Sequence, residues 1–505
     1  MIRQLSLASA LLAALFLCAP ALADDPPASP APPAPPPVAD AVTHHTILLG
    51  GKPVAYTARA GIIVLRDAKD EPTANIFYTA YTLDGGGANR PVTFFFNGGP
   101  GSSTMWLHMG SFAPVRVETA NGQLTGPPPY HVVPNDKTLL DATDMVFIDM
   151  PDTGFGRIVG AGTPKMFFGL DNDAAAFAQF ITRYVTAFGR WNSPRFLYGE
   201  SYGTTRAAAL VDLLQQQGLT FNGVVLQSTI LNFGIDDLSG ADEFGFPLYL
   251  PTEAASAWYH HALPGSWPSL SALINEVESF ALGEYSDALA KGDSISPAEF
   301  NSVAAKLHRY TGMSEEYIRR SNLRVPYWRF ESVLMRDQGT VIGRLDARFK
   351  TTTLDRYQDF PDFDPAAAAI SGAYTTAINN YLRTDLAYQP ALLYTTSAYD
   401  DIQAGGGWDF KHNGITEPSV VPDLAEAMTF NPHLKIFSAN GYYDFATPFF
   451  ETVYTLNHLG IDSSLQSNIT YGFYPSGHMI YLEPEALASL HDDLERWYAA
   501  TLGGR

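Results

Sequence analysis

The chain has 505 residues, 46% of them apolar and 16% charged, with a formal net charge of −21 and a pI near 4.8. Such a length and apolar content can build a large core, and the acidic balance argues against nucleic acid as a partner, because phosphate binding needs a basic surface. Its one cysteine, Cys18, excludes a disulfide framework, so stability must come from non-covalent packing.

In chain order, residues 1–23 read as an export signal. Arg3 gives a positive start, residues 5–17 an apolar stretch too short to cross a bilayer, and Ala21-Leu22-Ala23 a cleavage site. Cleavage is expected before Asp24, and lipid attachment at Cys18 is not, since Leu17 stands where a small residue is needed. The mature chain is therefore expected to be periplasmic or secreted, without an integral membrane segment. Residues 24–43, rich in Pro and Ala, read as an extended spacer. The runs at 61–65 and 76–81 resemble a hairpin.

Continuous apolar runs at 92–96, 145–148, 196–198, 224–226, 434–438 and 469–474 predict strands buried on both faces, as in a mostly parallel sheet of an α/β protein. Helical patterns at 174–188 and 206–217 lie between them, and one at 484–497 closes the chain with Pro at its start. From 234 to 395 the pattern changes. Helix starts at Thr252, Ser296, Ser314 and Asp364 replace the buried strand runs. This stretch is read as a mainly helical cap inserted between two core parts, 44–233 and 396–505, with an independent second domain as the alternative.

Chemistry concentrates in a few loops. Gly199-Glu200-Ser201-Tyr202-Gly203 follows a short strand and opens a helix, the setting of a nucleophile elbow in the α/β-hydrolase fold. A serine hydroxyl needs a base and an orienting carboxylate, and in that fold they follow in the order acid, then histidine. Asp444 comes after a glycine turn past the strand at 434–438, and His478 after the strand at 469–474. Both stand where open α/β sheets build sites. Asp462 is a weaker rival for the acid, and His433, His458 and His491 read as surface or packing residues. Asn97-Gly98-Gly99-Pro100-Gly101-Ser102-Ser103 is a glycine loop after a buried strand. It can bring an N–H to a developing oxyanion, with the Tyr202 N–H as the second donor. No Gly-Lys-Ser/Thr follows, which argues against a phosphate loop. Glu200 alone is open to a simpler reading, a carboxylate favoured at a helix start.

Taken together, the motifs at Asn97–Ser103, Gly199–Gly203, Gly441–Asp444 and Gly477-His478-Met479 resemble the serine carboxypeptidase family, from about residue 92 to the C-terminus. The resemblance implies an α/β-hydrolase fold with a helical cap and removal of C-terminal amino acids from peptides, without metal or other cofactor. It makes Ser201 the nucleophile, His478 the base and Asp444 its orienter, with Gly99 and Tyr202 giving the oxyanion N–H groups. Asn97, the N–H of Gly98 and Glu200 would hold the carboxylate of a peptide with a free C-terminus. Glu200 can donate to that carboxylate only when protonated, and two touching carboxylates cannot both stay charged at low cost.

The chain departs from the family at Ser102, where a cysteine is usual, and at Ser111, where a second glutamate is usual. The latter leaves Asn97 and water as the expected partners of Glu200. The loop at 151–156 is shorter than in the family. The missing family disulfides fit an exported bacterial-type member. An esterase or acyltransferase using the same three residues is the alternative activity, and a binding protein without activity is a more distant one. Metal binding is not expected, since His44-His45 and His260-His261 are merely adjacent pairs. Asn468-Ile469-Thr470 is a glycosylation sequon.

Overall fold

A computed structural model describes residues 39–235, 238, 243–416 and 418–503. The leader and most of the spacer lie outside the described residues. Nine strands form the path of the main sheet: β1 Ala41–Leu49, β2 Lys52–Arg66, β3 Pro72–Leu83, β4 Val92–Phe96, β5 Asp144–Ile148, β6 Arg195–Ser201, β7 Gly223–Thr229, β8 Lys435–Gly441 and β9 Ile469–Tyr474. Their order is β1-β2-β3-β5-β4-β6-β7-β8-β9, with Arg157–Ile158 pairing beside β3 as the tenth strand. From β1 to β5 the neighbours run antiparallel. From β5 through β4 and β6 to β9 every pairing is parallel.

The parallel strands follow the apolar runs because helices cover both faces of the sheet there; β4, β5 and β7 are buried at every position. The antiparallel end differs from expectation. β1 begins at Ala41, inside the stretch expected to be spacer, and Asp40 already pairs with Arg59 at 3.1 Å. The expected hairpin is a three-stranded meander. β2 buries alternate residues, so polar side chains interrupt its apolar pattern and hid its length.

The faces are covered by α1 Met105–Gly110, α2 Leu170–Ala187, α3 Tyr202–Gln216, α4 Gly245–Tyr259, α5 Pro365–Thr384, α6 Val421–Phe430 and α7 Pro484–Gly503, with shorter helices between. Residues of α1, α5 and α7 form one buried cluster with the sheet, and those of α2, α3 and α6 another.

Between β7 and β8 the chain leaves the sheet. A third cluster forms there from α4, the helices Leu270–Phe280 and Pro297–Thr311, and Tyr443, Phe445 and Phe449 from beside β8. Ser296, Ser314 and Asp364 cap helices as expected, accepting from the N–H of Glu299, Tyr317 and Ala367. Thr252 does not: α4 starts seven residues earlier, at Gly245, and Thr252 is buried within it. α5 packs with the first cluster rather than the third, through Ile370, Tyr374, Ile378 and Tyr381.

Among the described residues no helix is long and apolar enough to cross a membrane. The sequon asparagine Asn468 is buried; its Nδ2 donates to Pro432 O at 2.8 Å and its Oδ1 accepts from Lys435 Nζ. The nitrogen a glycan would need is thus engaged inside the protein.

Candidate active site

Ser201 ends β6 and caps α3 with φ 62° and ψ −132°, a conformation that costs a non-glycine residue energy. The chain has to turn there within one residue, and its flanking glycines permit it. A Cβ on Gly199 would strike Gly203 O, and one on Gly203 would sit 2.8 Å from Phe96 O. The glycine loop after β4 lies directly on this elbow. A Cβ on Gly98 would be 2.5 Å from Tyr202 N, and Gly99 has φ 111°. Arg206 of α3 ties the two together: its Nη1 donates to Asn97 O at 2.7 Å. Its Nε and Nη2 donate to Asp173 of α2 at 2.7 and 3.2 Å.

Asp444, fully buried just past β8, accepts from four donors. The N–H groups of Ala446 and Thr447 reach Oδ1 at 2.8 and 3.1 Å; Thr447 Oγ1 and His478 Nδ1 reach Oδ2 at 2.7 and 2.8 Å. The Nδ1 proton is committed to Asp444, which leaves Nε2 of a neutral ring as an acceptor. Burial lowers the pKa of His478, but the neighbouring Asp444 carboxylate outweighs it, and the net shift is upward. The His478 backbone is fixed as well, with its N–H donating to Leu345 O at 2.7 Å and its carbonyl accepting from Ser228 Oγ at 2.7 Å. The rival Asp462 caps the short helix Ser463–Gln466 and is exposed.

Glu200 is buried at the end of β6. Its Oε1 accepts from Asn97 Nδ2 at 2.7 Å and from Tyr481 OH at 3.3 Å, and its Oε2 accepts from Gln227 Nε2 at 2.8 Å. The expectation of Asn97 and water alone is corrected here, since two side chains fill the gap. Ser111 takes no part; its hydroxyl donates to Leu107 O at 2.6 Å and closes α1. Burial raises the pKa of Glu200 to about 7, against the pull of His478 and of the hydrogen bonds from Tyr481 and Asn97. The orientation of Asn97 is set from behind, because its Oδ1 accepts Leu107 N–H at 3.0 Å. Ser102 Oγ accepts from Trp106 Nε1 at 3.2 Å.

Asn97, Gly98, Gly99, Glu200, Ser201, Tyr202 and His478 line one cavity of about 320 Å³, together with Trp106, Arg344, Thr447 and apolar side chains. Asp444 stands behind His478. Every expected site residue is therefore in or against this cavity. Gln227, Tyr481, Thr447 and Arg344 were not anticipated. Gln227 was within reach of sequence reasoning, since the parallel register sets it beside Glu200. The others come from loops and, for Tyr481, a short helix, whose course no local pattern reveals. Away from the cavity, His491, Asp492 and Glu495 bring potential ligand atoms within 4.8 Å of one another, with both carboxylates exposed.

A strained serine between strand and helix and a buried histidine–carboxylate pair stand together on this sheet, an arrangement that fits the α/β-hydrolase fold. The comparisons agree. Residues 51–245 match the family described as serine carboxypeptidase, Peptidase_S10. Serine carboxypeptidase-like 44 of Arabidopsis thaliana is 27% identical over 180 residues, which are 35% of this chain and 34% of that protein. The chain thus matches about a third of that relative's length. The crystal structure of Kex1Δp, a prohormone-processing carboxypeptidase from Saccharomyces cerevisiae, covers 89% of this chain and 91% of its own with a TM-score of 0.53. At 18% identity, that likeness bears on the fold. Over residues 51–245 the chain is thus similar to the serine carboxypeptidase family.

Proposed function

We propose that the protein is a serine-type carboxypeptidase that releases C-terminal amino acids from peptides through an acyl-enzyme on Ser201. The observation that carries this reading is Glu200, a buried carboxyl in the same cavity as Ser201, with a pKa raised to about 7 by burial. Below that pH it is protonated and can donate to a carboxylate, as Asn97 Nδ2 and the N–H of Gly98 can. An ester substrate would need no such clamp.

In this mechanism Ser201 Oγ attacks the scissile carbonyl while His478 Nε2 takes its proton, and Asp444 steadies the imidazolium. The N–H groups of Gly99 and Tyr202 stabilise the oxyanion, each by roughly 3–4 kcal/mol. His478 then protonates the leaving amine, and water, activated by the same ring, releases the acyl group. The helical segment between β7 and β8 serves as the cap over this site. We also infer export, from the leader pattern of residues 1–23, to be checked by N-terminal sequencing of the mature protein.

The reading is tested with a blocked dipeptide and its C-terminal amide. The free acid is expected to be cleaved far faster, with kcat/KM falling above about pH 7 as Glu200 ionises. Equal cleavage of acid and amide would sink the exopeptidase assignment.

A further inference from the structure

Arg344 is the basic side chain, besides His478, that lines the cavity around Ser201. It sits in the turn between Thr340–Ile342 and Lys350–Thr352, and that turn is stitched to both catalytic loops. Arg344 O accepts from Phe445 N at 3.0 Å, one residue past Asp444, and Leu345 O accepts from His478 N at 2.7 Å. The guanidinium lies over the Tyr327 ring, 5.7 Å from its centroid, and the residue is exposed.

Arg344 hydrogen-bonds Tyr327 and feels the charge of Glu331, but forms no ion pair among the described residues. Arg324 and Arg348 nearby in sequence have carboxylate partners, Glu243 and Asp346; Arg344 has none. The carboxyl groups around it are otherwise engaged. Asp364 accepts from the N–H groups of Leu345 and Ala367 at 2.7 and 2.9 Å. Glu331 is buried, and burial pushes its carboxyl well above the usual range against the pull of Arg344, so it is a weaker counter-charge than an exposed carboxylate. A guanidinium remains charged at any working pH, and its planar fork matches a carboxylate. The charge also reaches His478 and opposes formation of the imidazolium. A negative group beside Arg344 would remove that opposition during the reaction.

We propose that Arg344 is a specificity-determining residue that selects peptides with an acidic side chain at one of the two residues flanking the scissile bond. The inference rests on the carboxypeptidase reading, in which Asn97, Gly98 and Glu200 already hold the terminal carboxylate. A guanidinium facing the same cavity, outside that neutral clamp, then calls for an anion besides the terminal carboxylate, and in a peptide that is an Asp or Glu side chain.

The test uses blocked dipeptides with a free C-terminus, in which Glu and Gln are exchanged at each of the last two positions. Each pair differs in charge and hardly in shape. At pH 6 the substrate carboxylates are ionised and Glu200 is still mostly protonated. The native enzyme is expected to favour Glu over Gln by roughly tenfold in kcat/KM at one position, the scale of a charge-assisted hydrogen bond. Arg344→Gln should bring that ratio to about one, and Arg344→Glu should shift preference to Lys at the same position. A Glu/Gln ratio that survives in Arg344→Gln overturns the inference. So does an equal fall for both members of the pair, which would put Arg344 on the terminal carboxylate or in a purely structural role. Neutral dipeptides cleaved with no Glu preference in the native enzyme overturn this inference alone. No cleavage of any free-acid dipeptide, while a fluorophosphonate still labels Ser201, overturns the carboxypeptidase reading together with it.

Discussion

Replacing Glu200 by Gln should change stability differently at pH 4.5 and at pH 8. Burial raises the folded-state pKa of Glu200 from 4.5 to about 7. Between those values the folded protein holds a proton that the unfolded chain has lost. The stability this confers is fully present below 4.5 and is lost as pH rises through 7. At 1.36 kcal/mol for each tenfold change, the gap amounts to about 3 kcal/mol. Glutamine cannot ionise, so the variant escapes this loss. It has a separate cost. Asn97 and Gln227 both aim amide nitrogens at the Glu200 carboxyl, and neither amide can flip freely. Asn97 Oδ1 holds Leu107 N–H, and Gln227 Oε1 accepts Tyr198 OH at 2.6 Å. A protonated carboxyl satisfies both amides, because its hydroxyl oxygen still accepts; the NH2 of glutamine faces a donor at one of them. That costs about 1–3 kcal/mol at every pH and cancels from the comparison. Chemical denaturation of both proteins at the two pH values should therefore show the variant gaining about 3 kcal/mol on the native protein between pH 4.5 and 8. A difference that stays constant with pH would refute the assignment of a raised pKa to this carboxyl.

Two further substitutions test the scaffold. Gly98→Ala places a Cβ 2.5 Å from Tyr202 N, backbone against backbone, so the glycine loop must move off the elbow. The rate of fluorophosphonate labelling at Ser201 should fall by about a hundredfold, as when an oxyanion donor is lost, and an unchanged rate would count against the proposed oxyanion hole. Asp173→Ala removes the partner of Arg206 in a pair whose side chains are both 0% exposed. The expected loss is about 3–5 kcal/mol in denaturant unfolding, together with weaker substrate binding as Asn97 loosens, and a loss below about 1 kcal/mol would contradict it.

How far the fold could be read from the sequence depended on what each strand faces. β4 to β8 were legible because two covered faces make an apolar run that survives without context, and β9 because its run stays largely apolar although Thr470 and Phe473 are exposed. β1 and β2 were not, because one face meets water and alternate polar residues break the signal. Caps with a local mechanism were legible, as at Ser296 and Asp364. Thr252 resembled them in sequence but lies inside α4, where burial of nearly every residue outweighs local preference. Ser201, Asp444 and His478 were legible because each follows a strand end. Arg344 reaches the cavity from a turn and Tyr481 reaches Glu200 from the short helix Ile480–Leu482, and only the tertiary course of the chain brings them there.

Gln227 shows why a departure from a familiar pattern need not leave a gap. The support usual for Glu200 was expected at position 111, in sequence beside the glycine loop, where Ser111 stands. Instead it comes from the neighbouring strand, since the β6–β7 register pairs Gln227 with Glu200. One amide nitrogen donates both to Glu200 Oε2 at 2.8 Å and to His478 O at 3.2 Å, so the same side chain joins the carboxyl clamp to the base. The chemistry differs from that of a second carboxyl. Two carboxyls in contact share a proton and drive one pKa strongly upward. An amide does not titrate; its N–H donates to the carboxyl in either protonation state, and more strongly to the ionised one. Here burial is what holds Glu200 up, and the hydrogen bonds it accepts from Asn97 and Tyr481 pull against it, leaving the pKa at about 7. An enzyme that relies on a protonated Glu200 is then limited on the alkaline side near neutrality, by burial set against hydrogen-bond donors rather than by a proton shared between two acids.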